Sequence, residues 1–145
     1  MPNGWSNDWP RFWADNRLRC HLPHLPAPVA RRVEALADRL AEHLPRDPYP
    51  ALLHGDLWGG NILVAGGRVN GLIDPACCHG DREVDVAMLG LFDHPPARFH
   101  DALGLAPGWR ERQPVYRLWP LLVHVRLFGA SYLAPTLGAL DSLGA

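Results

Sequence analysis

Leu52-Leu53-His54-Gly55-Asp56-Leu57-Trp58-Gly59-Gly60-Asn61-Ile62-Leu63-Val64, answered further on by Leu72-Ile73-Asp74-Pro75-Ala76, is the stretch that decides how this chain is read. Ala51–His54 is a short apolar run that predicts a strand, and Asn61–Val64 predicts another. Ala65-Gly66-Gly67 predicts the turn of a hairpin that returns through Arg68–Ile73. Loops Gly55–Gly60 and Asp74–Gly80 then lie side by side, at the two ends of that hairpin.

Outward from this element the pattern is helical. Asn7 or Asp8 can cap a first helix that tolerates Pro10 in its opening turn and carries Trp9, Phe12 and Trp13 on one face. His21–Pro28 predicts a proline-punctuated connection, and a second helix follows over about Pro28–Leu44, with Val29, Val33, Leu36 and Leu40 as its core stripe. Pro45-Arg-Asp-Pro-Tyr-Pro50 stops it. Beyond Asp81 the sequence predicts helices near 83–92, 96–104, 110–133, broken or kinked near Pro120, and 135–143. The expected fold is α+β and mainly helical: one domain over 1–145, with a small central β-hairpin carrying two loops.

Composition narrows the chemistry. The 145 residues are 48% hydrophobic and 20% charged, which supports a real core and argues against disorder. Net charge is -1, which argues against a surface for nucleic acid or anionic membrane. All 14 basic residues are arginine; the absence of lysine excludes a P-loop, a Schiff base and a phosphate-gripping lysine within these residues. The start, Met-Pro-Asn-Gly-Trp, is not that of a signal peptide, and the apolar run Leu118–Phe128 is interrupted by Pro120, His124 and Arg126. With only Cys20, Cys77 and Cys78, two of them adjacent, no disulfide framework is expected; the reading is a cytoplasmic protein with no membrane partner.

Phosphoryl transfer needs a carboxylate to orient and deprotonate the attacking hydroxyl, and oxygen ligands to hold Mg2+ on nucleotide phosphates. The protein-kinase pattern supplies these as an Asp, four residues, an Asn, and a second Asp beyond a hairpin. Asp56, Asn61 and Asp74 have that order and spacing. Taken alone, each is an ordinary turn residue; together in this setting they point to catalysis. His54 is read as shaping the loop, since Asp56 already fills the base position.

With Gly80-Asp81-Arg82-Glu83-Val84-Asp85-Val86-Ala87-Met88, these segments resemble the fructosamine kinase (ketosamine-3-kinase) family, of the aminoglycoside-phosphotransferase-like group of the protein kinase fold. Trp58 is the discriminating residue. Asn7-Asp8-Trp9 through Phe12-Trp13 to Arg17-Leu18, and Trp109–Arg112 through Tyr116 and Leu118–Gly129, extend the resemblance over nearly the whole chain. It implies the large, C-terminal lobe of that fold and ATP-dependent phosphorylation of a sugar hydroxyl on a small-molecule or protein-bound ketosamine. Asp56 would be the catalytic base, Asn61 and Asp74 would hold Mg2+, and Asp85 would brace the catalytic loop. Asp85 also suits the first turn of a helix on dipole grounds, and Trp58 is either a wall of the sugar pocket or a packing anchor.

Some positions depart from the family's pattern. Gly59 replaces a usual Ser, which would loosen the loop; Cys78-His79 replaces a pair of tyrosines, and Arg126 an Asn. The resemblance also implies an N-terminal lobe with a glycine-rich nucleotide loop and a lysine strand, and Met1 falls about where that lobe has ended. The chain alone is therefore expected to have little or no kinase activity, whether it is a gene fragment, a lobe complemented by a separate chain, or a non-catalytic relic that binds a ligand. Another small-molecule kinase of the aminoglycoside-phosphotransferase-like group is the alternative within the class. The open cleft is expected to favour self-association. A zinc site from Cys20, His21 and His24 with Cys77, Cys78 and His79 is the alternative from a different class. Trp5, Trp9 and Trp13 could form a sugar-stacking platform, but their spacing marks a packed helical face first.

Overall fold

Asp8 and the apolar face behind it start the first helix. In the computed structural model, which describes residues 3–145, Asp8 accepts the Arg11 amide at 3.0 Å and opens α1 (Trp9–Trp13) with Pro10 in its first turn. The chain forms two compact units: one runs to Pro48 and resumes over Arg110–Ala145, the other is Tyr49–Trp109.

In the first unit α1 continues as a wide turn over Ala14–Leu18 and as tight 3-10 turns over Arg19–His24. The connection expected from His21 is thus helical until Leu25, whose extended backbone ends it ahead of Pro26. α2 (Ala27–Asp38) buries Val29, Val33 and Leu36, as its periodicity demands. It stops short of Leu44: Arg39 leaves the helical region, and a 3-10 turn over Leu40–Glu42 still buries Leu40.

α5 (Trp109–Phe128), which belongs to this unit from Arg110 onward, is not broken at Pro120. An internal proline costs about 3 kcal/mol. Here Val115, Tyr116, Leu118 and Trp119 before it and Leu121, Leu122 and Val125 after it are all buried. At roughly 1.5–3 kcal/mol per large apolar side chain, that burial outweighs the break. The helix ends instead at Phe128, where Gly129 takes φ +73° and leads through a 3-10 turn into α6 (Leu133–Ser142). Trp9 stacks on Phe12 at 5.5 Å and donates from Nε1 to the Tyr116 hydroxyl; Trp13 meets Tyr116 and Trp119 edge-on at 5.1 and 5.6 Å. Trp9 and Trp13 are therefore packing residues, while Trp5 precedes the helix and is exposed.

The second unit holds β1 (Pro50–Leu53), β2 (Ile62–Ala65), β3 (Arg68–Leu72) and β4 (Cys78–Asp81), then α3 (Glu83–Phe92) and α4 (Ala97–Leu103). β2 and β3 form the expected antiparallel hairpin, turning through Gly66 and Gly67 at φ +60° and +72°. β4 was not expected. It pairs antiparallel with β1, Pro50 opposite Asp81 and Leu53 opposite Cys78, so there are two small sheets instead of a lone hairpin. Asp81 ends that strand, and its carboxylate accepts the Glu83 amide at 3.0 Å, so it launches α3 from outside. The fold is α+β and mainly helical. Among the described residues no helix is long and apolar enough to cross a membrane.

Candidate catalytic and metal loops

The second unit gathers the residues singled out by spacing into two loops tied to each other by hydrogen bonds. Gly55 follows β1 at φ +79°, and a Cβ there would lie 2.7 Å from the Ala76 carbonyl oxygen. Only glycine lets the Asp56 loop pass this close to the Asp74–Ala76 backbone. His54 joins the same loops through its ring. Nδ1 accepts the Asp56 amide at 3.3 Å, so the proton sits on Nε2, which donates to the Ile73 carbonyl at 3.0 Å. A third tie runs from the Ile73 amide to the Asn61 carbonyl at 3.1 Å.

Asp85, in the first turn of α3, accepts the His54 amide on one carboxylate oxygen at 2.7 Å and the Gly55 amide on the other at 2.8 Å. Two charge-assisted bonds to consecutive amides fix the backbone leading into Asp56. Asp85 and His54 thus both bond to the backbone around Asp56.

Asn61 is buried and turns its Nδ2 toward Asp56, donating to the backbone carbonyl at 2.8 Å and to Oδ2 at 3.1 Å. Its Oδ1 lies outside those bonds. Asp74 is exposed and, among the described residues, is the non-glycine residue with positive φ, at +53°. Strain of this kind persists where the surroundings dictate the conformation and is concentrated at functional sites. Asn61 and Asp74 offer oxygen only, as does Asp56, and that donor chemistry fits Mg2+ better than zinc.

Trp58 lies over Gly60, where a Cβ would meet its ring at 2.3 Å, and stands edge-on to Phe92 at 6.3 Å. It remains 41% exposed, so part of the ring stays available. The loosening expected from Gly59 is not what is found. The Gly59 amide donates to Asp93 Oδ2 at 2.7 Å, and a Cβ at Gly59 would sit 2.6 Å from Asp93 Oδ1. The glycine makes room for a carboxylate that pins the loop. Sequence reading missed Asp93 altogether: it lies 34 positions away, beyond the end of α3, and no motif marks it.

Among the described residues no three His, Cys, Asp or Glu side chains gather where they could hold one ion, so the zinc alternative has no geometry behind it. His21 is instead a buried ring.

The sequence profile of the family described as "Fructosamine kinase" matches residues 1–144. A Klebsiella aerogenes protein named a probable ketoamine kinase is 39% identical, over 97% of this chain and 51% of its own length. The Escherichia coli K12 protein YniA, named the same way, is 40% identical over 99% and 52%. A solved Thermobifida fusca structure described as a fructosamine-3-kinase superposes with a TM-score of 0.88 at 38% identity, over the whole of this chain and 54% of that one. The chain spans about half the length of the curated relatives it matches. With the loop geometry and the residues that build it, these likenesses place the chain in the fructosamine kinase family.

Proposed function

We propose that these 145 residues supply the base and metal half of an ATP-dependent kinase that phosphorylates a sugar hydroxyl of a ketosamine, small or protein-bound. In this reading the two units together are one kinase-like C-terminal lobe. Asp56 orients the sugar hydroxyl and takes its proton. Asn61, through Oδ1, and Asp74 hold Mg2+, which when bound neutralises charge on the nucleotide phosphates. His54 and Asp85 keep the two loops in one arrangement, and Trp58 offers the exposed part of its ring to the sugar. The single observation that carries the proposal is the His54 ring, bonded to the Asp56 amide on one side and to the carbonyl preceding Asp74 on the other.

The grip on ATP belongs to a separate N-terminal lobe, since these residues include no lysine. The hairpin supports that division: Leu63, Val64, Val69 and Leu72 are 48–64% exposed, an apolar patch of the kind another body covers. Cys20, Cys77 and Cys78 are in no disulfide, which fits a reducing, cytoplasmic setting.

The test is Mg-ATP-dependent phosphorylation of a fructosamine by the 145-residue chain alone and joined to the nucleotide lobe of a longer relative. The joined protein should transfer phosphate, the chain alone should not, and Asp56→Asn in the joined protein should lower the rate on the order of a thousandfold. Robust transfer by the chain alone, or an Asp56→Asn variant that keeps its rate, refutes the proposal.

A further inference from the structure

Helix α3 carries a carboxylate at each end of its span, and each holds backbone of the same loop from a different side. Asp85 in the first turn takes the His54 and Gly55 amides, just before Asp56. Asp93, immediately after the last turn, takes the Gly59 amide, between Asp56 and Asn61. The two acids differ in what else they gain. At a helix N-terminus a carboxylate is favoured by the dipole, whereas beyond the C-terminus it meets the negative end and is disfavoured. Asp93 is therefore placed against the interest of its own helix, and its charge is spent on Gly59. The half-buried carboxylate also fills the space that any side chain at position 59 would need.

We infer that Asp93, through the Gly59 amide, is a positioning residue that sets the separation of Asp56 and Asn61, and that glycine at 59 is the condition for it. The inference rests on the reading of Asp56 and Asn61 as base and metal ligand. It makes positions 59 and 93 a coupled pair. A methyl or hydroxymethyl group at 59 displaces the end of the Asp93 side chain and breaks the bond, so Gly59→Ala, Gly59→Ser and Asp93→Ala should have one shared consequence.

The experiment is amide hydrogen exchange by NMR on the 145-residue chain, with the Asn61 side-chain amide followed in the same spectra and Mn2+ binding followed by titration. Asp93→Ala should speed exchange of the Gly59 amide at least tenfold, shift the Asn61 side-chain resonances and weaken Mn2+ binding several-fold, while His54 and Gly55 stay protected by Asp85. Asp93→Asn, still an acceptor, should recover part of each change. Gly59→Ala should reproduce Asp93→Ala, and the double variant should add nothing to either. Unchanged Gly59 protection in Asp93→Ala, additive effects in the double variant, or a freed Gly59 that leaves Asn61 unmoved would each overturn the inference. If the unsubstituted chain binds no Mn2+, the metal reading fails by itself; the exchange comparison still decides the role of Asp93.

Discussion

In the helical unit Trp13, Leu18, Tyr116, Leu118 and Leu122 are at most 1% exposed, and side-chain packing holds the elements in place. Around Asp56, in Tyr49–Trp109, the holding is done by Asp85, His54, Asn61 and Asp93, each bonded to loop backbone at 2.7–3.3 Å. The same contrast appears at the surface. Among the described residues eight of the eleven exposed large apolar side chains, Tyr49 to Ile73, lie in the loop-bearing unit, where Leu52 is 68% exposed. A packed body tolerates small adjustments as long as volume is kept. A polar frame depends on individual atoms, so it fixes positions sharply and fails one bond at a time. Catalysis by position needs the second kind of support.

The comparison breaks most visibly at Trp13. Trp13→Ala removes the ring that Tyr116 and Trp119 meet edge-on and should cost about 4 kcal/mol in chemical denaturation. A loss under about 1 kcal/mol would show that packing is not what holds this unit.

Acid should expose the next difference. His21 is 1% exposed with neither ring nitrogen hydrogen-bonded, and burial first, then the Arg126 charge, lowers its pKa to about 4. The unfolded chain, with an ordinary imidazole, takes up a proton below about pH 6.5 while the folded one resists. Stability present above pH 6.5 is therefore lost as pH falls toward 4, by up to about 3 kcal/mol. Melting temperature followed from pH 7 to 4 should fall less steeply in His21→Leu; parallel curves would assign the acid loss elsewhere.

Asp85→Ala should behave in the opposite manner to Trp13→Ala. The local cost of two lost charge-assisted bonds is about 3 kcal/mol. It should appear as fast exchange at His54 and Gly55, with the denaturation midpoint of the helical unit unmoved. A cooperative collapse of the whole chain would mean that the polar frame is not local.

The smallest effect belongs to the hairpin. Val64→Lys with Val69→Lys, both 64% exposed, should change stability by less than about 0.5 kcal/mol. Sedimentation should nonetheless show less self-association, and no change in sedimentation would remove this face as its cause.

Much of this contrast was legible in the sequence. The Gly66-Gly67 turn and the apolar stripe of α2 are local patterns, and each lies within a few residues of where its spacing places it. What escaped depends on partners far along the chain. β4 is four residues with a glycine and an aspartate, and it is a strand because β1 lies beside it. The Gly59–Asp93 bond spans 34 positions, so loss of the family's Ser looked like slack when it is the opening for a different tether. Pro120 does not break α5: its local cost is plain in sequence, whereas the burial that offsets it appears only in the folded chain.

Asp74 carries one more consequence, for how this site would decay. Its left-handed backbone, at φ +53°, costs of the order of 1 kcal/mol or more, and glycine would adopt it freely. Drift at this position therefore has a downhill direction: Asp74→Gly stabilises the fold while deleting a carboxylate the proposed reaction needs. A descendant freed from that reaction gains by the change, so glycine at this position in a homologue would be a thermodynamic signature of retirement.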